Sequence, residues 1–262
     1  MNLRRIYGVF LQEYYMTIHS LEIFVDVFIF PLINIVVFGL ISLYLVGNDN
    51  SVAGAFILLG MLLWQIIWII AYSVAVGSMW NIWSRNLSNM FVAPLELEEY
   101  IVAHFLSGCV KAVALLAVGG FLSAIVFRFD MLAVGLMSLL LTFLVFSIFA
   151  FAVAIVVLGL IFRYGTRIQA LSWSLITIVQ PFSAAFFPIA DMPRALQLVA
   201  YFFPSTYGFE GARYGLLYGD VAWGVFGVGL ILASLYCILS MFVFQYLYTR
   251  SRDTGQFARN ES

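Results

Sequence analysis

The chain has 262 residues, of which 64% are hydrophobic and only 10% charged, and its mean hydropathy is +1.06. A soluble domain carries roughly a quarter of its residues as charges, so this composition excludes a water-solvated fold and points to a membrane. The formal net charge of −1 identifies no partner, because in a membrane protein the placement of charge matters more than its sum.

The first twenty residues contain basic groups but no continuous apolar core, so they do not read as a cleavable signal peptide. Leu3, Ile6, Tyr7, Phe10, Leu11, Tyr14, Tyr15 and Ile18 recur at spacings of three and four, with Arg4, Arg5, Gln12, Glu13 and His19 on the remaining face. This pattern predicts an amphipathic helix over residues 1–20 lying in the membrane interface. Two roles are open to it: an anchor and, in addition, a sliding helix coupled to gating.

A spanning helix needs about 20 mostly apolar residues, and six segments meet that criterion: Ile23–Val46, Val52–Met79, Ile101–Phe127, Met131–Phe162, Ile168–Phe187 and Ala222–Tyr248. Glu22 and Asp26 open the first on one face, where the helix dipole favours carboxylates. An even number of spans puts both termini on one side, together with Arg4, Arg5, Arg85, Arg163, Arg167, Arg250, Arg252 and Arg259. Only Arg128, Arg194 and Arg213 fall on the other. The positive-inside rule therefore makes the termini cytoplasmic.

Between spans two and three stands a polar insert, NIWSRNLSNMFVAPLELEEY, over residues 81–100. Trp83, Leu87, Met90 and Phe91 fall at i, i+4, i+7 and i+8, one apolar stripe on a helix of about three turns. Asn81 fits its cap and Pro94 its end, so the helix is expected over residues 81–95. Arg85, Asn86, Ser88 and Asn89 form its polar edge, while Glu96, Glu98 and Glu99 suit the positive end of span three. Such a helix either rests on the bilayer as a connector or packs its stripe into a partner's groove.

Lys111, the chain's only lysine, falls within span three near its inner end. Its stem can snorkel to the headgroups, or its ammonium can meet an anionic substrate at the inner mouth. Cys109 and Cys237 lie in apolar runs with neither a disulfide framework nor metal-ligand spacing. His19 and His104 read as interfacial residues.

The stretch between spans five and six carries Pro188, Pro193 and Pro204 yet stays apolar. Pro193 fits a helical first turn, and that helix stops before Pro204. Ser205 or Thr206 can cap a second short helix. Together they suggest a re-entrant hairpin over residues 188–216, with Glu210 and Arg213 paired at i, i+3; structural filler is the plainer reading.

There is no glycine-rich phosphate loop, no H-E-x-x-H and no cysteine–histidine cluster. The chain is therefore expected to be no enzyme, to bind no cofactor or nucleic acid, and to serve as conduit or scaffold. Two stretches carry a resemblance. RNLSNMFVAPLELEEYIVAH and FSAAFFPIADMPRALQLVAYFFPSTYGFEGAR resemble segments of the permease subunits of type-2 ABC exporters, the class of O-antigen, teichoic acid, nodulation-factor and drug exporters. The second is the more specific, because three prolines and a terminal Glu-x-x-Arg recur in register.

The resemblance implies an all-α integral membrane protein of the inner membrane, one permease domain over residues 1–262, pairing with a second permease copy. Two separate ATPase subunits would use ATP and Mg and dock on a coupling helix formed by Trp83, Arg85, Asn86, Leu87, Asn89, Met90, Phe91 and Glu96. The path would run between copies along spans one and five, with the hairpins as outer gates. Tyr14, Tyr15, Phe182, Phe186 and Phe187 are candidates to line it, and Lys111, Glu210 and Arg213 to act on path or gate. Two rivals stand: a scaffold or sensor that binds an ATPase without transport, and an ion-coupled carrier. The latter calls for an inverted repeat or clear mid-membrane carboxylates, and neither is evident.

Overall fold

The computed structural model describes residues 1–47, 51–84 and 86–254. The described residues are helical, without strands, in the order α1 (Leu3–His19), α2 (Leu21–Gly47), α3 (Ser51–Trp83), α4 (Leu87–Val92), α5 (Leu97–Phe127), α6 (Leu136–Tyr164), α7 (Gln169–Val179), α8 (Arg194–Ala200), α9 (Pro204–Tyr218) and α10 (Trp223–Asp253). Five of them, α2, α3, α5, α6 and α10, are long and apolar enough to cross a membrane. Helix is the form such segments must take, because lipid offers no partner to a backbone N–H or C=O.

The expected fifth span, Ile168–Phe187, holds the eleven-residue α7 between short 3-10 turns at Gly165–Ile168 and Gln180–Phe182. Pro181 has no N–H to extend the ladder. By itself α7 reaches only about 17 Å.

The core gathers around α3 and α6. In their most apolar stretches 78% and 67% of residues are buried, against 28%, 33% and 22% for α2, α5 and α10. α3 is apolar all round and accepts neighbours on every side. It runs antiparallel to α2 and α5, with Gly54 at Ser42, Gly108 at Ile70 and Asn81 at Tyr100. α6 and α10 run parallel, since Phe149 meets Tyr236 and the Ser251 hydroxyl donates to the Phe162 carbonyl. α9 wedges beside them where glycines permit close approach, Gly208 over Phe146 and Gly211 over Phe226.

Three local expectations are corrected. Pro193 stands just before α8 as its N-cap instead of inside the first turn. α9 begins at Pro204 itself, so Ser205 and Thr206 lie within the helix, and the Thr206 hydroxyl donates to the Ala200 carbonyl at 2.7 Å. α1 buries Ile6, Val9, Glu13 and Thr17 against the bundle, whereas Tyr7, Tyr14, Tyr15 and Ile18 face outward. Glu13 thus belongs to the inward face and not to a water-facing one.

α2 carries a π-helical turn at Val25–Ile29, closed by the Phe30 N–H on the Val25 carbonyl. Pro31 follows at once; it can neither donate to residue 27 nor tolerate that carbonyl in regular α geometry. The wider turn accommodates it and sets Asp26 to accept from the Tyr72 hydroxyl at 3.0 Å.

Gly60 on α3 lies against the Ala185 carbonyl, where an added Cβ would collide with backbone. Gly60→Ala is expected to cost about 1–3 kcal/mol through overpacking. Gly224→Ala, with nothing within 4 Å, should leave stability unchanged or slightly raised. Thermal unfolding in detergent compares the two.

Candidate functional site

The connector between α3 and α5 departs from its expected form. α3 continues through Trp83, so Asn81 and Trp83 lie inside the long helix, and the connector helix α4 has only six residues. Asn81 caps nothing: its side-chain amide donates to the Gly77 carbonyl at 3.2 Å and the Tyr100 hydroxyl at 2.9 Å. Trp83 packs edge-on to Trp80, with ring centroids 4.9 Å apart. The Asn86 N–H returns to the Asn81 carbonyl at 2.9 Å, and the Asn86 carbonyl accepts the first bond of α4 from the Met90 N–H at 3.0 Å. Pro94 holds Ala93 extended, at φ −68° and ψ 157°, as a residue before proline requires.

A capping box then opens α5. Glu96 accepts from the backbone of the first turn, and the Glu99 carboxylate accepts from the Glu96 N–H at 3.1 Å. Asn89, Val92, Ala93 and Pro94 are exposed, Val92 by 86%, while Met90 packs partly on the core. Arg85 lies outside the described residues, as do the side chains of Leu87 and Phe91.

α1 packs against this platform and supplies groups that sequence reasoning missed. Its Gln12 amide donates to Asn81 Oδ1 at 2.9 Å. Glu13 Oε2 accepts from Lys111 Nζ at 3.1 Å, and Glu13 Oε1 lies 3.5 Å from His104 Nδ1. All three side chains are buried, and Gly77 leaves the room, since a Cβ there would press on His104 and Glu13. Near the start of α1, the Asn2 N–H donates to Glu99 and the Arg5 guanidinium sits 3.5 Å from it. Burial by itself would raise the Glu13 carboxyl. The neighbouring His104 ring and Lys111 ammonium outweigh burial and hold it well below the usual carboxylate range.

Lys111 therefore does not snorkel, and His104 is not interfacial. A signal for this did exist: Ile6, Val9, Glu13 and Met16 share one helical stripe. Glu13 is the single charge on that stripe, and Lys111 the single charge deep in its span.

At the other end, Arg213 is 3% exposed and Glu210 lies 2.9 Å from it, so the expected i, i+3 pair forms. The same guanidinium donates to the carbonyls of Ala184 and Ala185 and lies over the rings of Phe56 and Phe209, at 5.6 and 6.0 Å. Glu210 also accepts from the Ile189 N–H at 3.0 Å. The pair thus ties the turn after α7, where Ala184 adopts a left-handed φ of 52°, onto α9. Phe186 stacks on Phe38 at 4.7 Å, and Phe187 is exposed. Both line a cavity of about 530 Å³ with Gln180, Pro181 and Leu196. Phe182 lies in the adjacent 3-10 turn. Tyr14 and Tyr15 are exposed on α1, and Lys111 is held by Glu13, so none of the three joins this group.

A multi-pass helical membrane protein results, with one polar cluster under α1 and the connector and a second around Arg213. The model of the ABC-2 type transporter family matches residues 12–217, well over half the chain, and the chain belongs to that family. It is an ABC transporter permease, a membrane component whose family implies association with an ABC ATPase. No curated protein gives a significant match.

Lys111→Met strands a buried carboxylate and is expected to cost about 3–5 kcal/mol. Adding Glu13→Leu should recover most of the loss, because two apolar chains replace an ion pair with little net change. Thermal unfolding of the two single variants and the double completes the cycle.

Proposed function

We propose that this permease is the membrane half of an exporter in the cytoplasmic inner membrane. Two copies of the chain pair around a path lined by α2 and α7, and two ABC ATPases dock from the cytoplasm. The cargo is an amphipathic molecule such as a lipid-linked glycan, a lipid or a hydrophobic drug.

The connector carries this reading. Its tip, Asn89 and Val92 to Pro94, is exposed, while Asn81–Tyr100 and the Glu96–Glu99 box fix its two ends. A stiff mount with an exposed tip suits a part that receives a push from outside the membrane. The chain has no phosphate-binding loop of its own, so the push must come from a partner that uses ATP and Mg. Arg85, Leu87, Asn89, Met90, Phe91 and Glu96, together with the exposed Val92, are the groups we assign to that contact.

The distribution of arginines favours cytoplasmic termini. α7 with its flanking 3-10 turns covers residues 165–182 in three pieces, which end to end would reach about 27 Å. That length supports a sixth crossing of a hydrocarbon core ~30 Å thick. α8 and α9 are too short to span and, under the Arg213 clamp, suit a re-entrant outer gate.

The test is co-purification with a co-expressed ATPase subunit. Val92→Asp, alone and combined with Phe91→Asp, should lower the bound ATPase, about tenfold or more in the double variant; the 86% exposure of Val92 makes the single variant the control for the fold. Full retention in the double variant moves the dock elsewhere. A wild-type permease that never holds an ATPase ends the exporter reading.

A further inference from the structure

α1 is fastened to α5 at three levels. Glu99, near the start of α5, holds Asn2 and Arg5. One level along, Gln12 reaches Asn81, whose amide in turn donates to Tyr100. Deeper still, Glu13 meets His104 and Lys111. About 18 Å of helix rise separates Glu99 from Lys111, so the fastening is a seam and not a pivot. The groups at its inner end are buried, with Glu13, His104 and Lys111 at 4%, 0% and 7% exposure.

Moving α1 along α5 would part a carboxylate from an ammonium away from water, and a buried pair broken in this way is strongly unfavourable. Carrying α1, the first half of α5 and the end of α3 that bears Asn81 together breaks none of these contacts. The seam also touches the connector, because Asn86, the N-cap of α4, donates its N–H to the carbonyl of Asn81. A displacement of α4 therefore reaches α1 and α5 through one residue.

We infer that Glu13 is a positioning residue that locks α1 and the first half of α5 into one lever, driven from the connector through Asn81. The inference builds on the exporter reading and opposes the sliding role open to α1 from sequence: the helix swings with α5 and does not glide beneath the bundle.

The test uses the complex of permease and ATPase, with Cys109 and Cys237 replaced by alanine. Spin labels go to three exposed positions, Tyr7 on α1, Val110 on α5 and Ile231 on α10. Pairwise distances are measured without nucleotide and with ATP. In the otherwise wild-type complex the 7–110 distance should stay fixed while the 7–231 distance shifts. In Glu13→Leu/Lys111→Met the ATPase should stay bound and thermal stability recover, yet the 7–110 distribution should broaden and the ATP-driven 7–231 shift be lost. A purely structural role predicts instead that the shift returns with stability, which would overturn the proposal. An ATP-dependent change of the wild-type 7–110 distance would overturn it directly, whether or not the double variant folds. Failure of the wild-type permease to bind an ATPase removes the exporter reading, and the coupling role of Glu13 with it.

Discussion

An ammonium group removed from water must find an opposite charge or give up its own. Among the described residues Lys111 has one such partner, Glu13, and the arrangement of one end of the molecule follows from reaching it. Glu13 is contributed by a helix that its aromatic face would otherwise leave on the membrane surface. To bring the carboxylate to Lys111, α1 must lie against α5, with Gly77 of α3 yielding space and His104 closing the site. Once α1 is there, Gln12 meets Asn81, and the end of α3 is fixed as well. The connector inherits its rigid mount from this chain of contacts.

The opposite cluster follows the same rule. Arg213 is also a buried cation, and a carboxylate, two carbonyls and two aromatic faces answer it. The forked guanidinium can serve several acceptors at once, which a lysine could not do. In both places a buried cation binds a segment that is not a membrane-length helix: α1 in one, the turn after α7 in the other. The long helices meet one another chiefly through apolar packing, with single bonds such as Tyr72 to Asp26 and Asn81 to Tyr100.

Most of the bundle was legible in the sequence, since a run of about twenty apolar residues has few alternatives in lipid. The five long helices match expected spans, and Glu210 with Arg213 pairs as the i, i+3 spacing suggested. The fifth span was harder to read. Hydropathy counts apolar residues without asking whether Pro181 and the turn at Gly165–Ile168 let them form one helix. The connector misled in a different way. Asn81 has the chemistry of a cap, but Gln12 and Tyr100, 69 and 19 residues away, compete for its amide and carbonyl. Glu13 was placed with the polar face because a periodicity argument sorts residues by polarity, and a buried ion pair makes a polar residue belong to the interior. Such pairs become visible only when the two lone charges are considered together.

The π-turn in α2 sets how the two halves of that helix are phased against each other. It holds one residue more than a regular turn, and the hydrogen bond from Phe30 to Val25 absorbs the surplus. Everything before it is therefore set about 100° out of phase with everything after it, relative to an unbroken α-helix. A chain lacking one residue here could wind regularly only by turning Asp26 away from Tyr72, or by turning the whole apolar face beyond Pro31 away from its neighbours. The insertion is thus a phase shifter, letting two faces of one helix answer to two different surroundings.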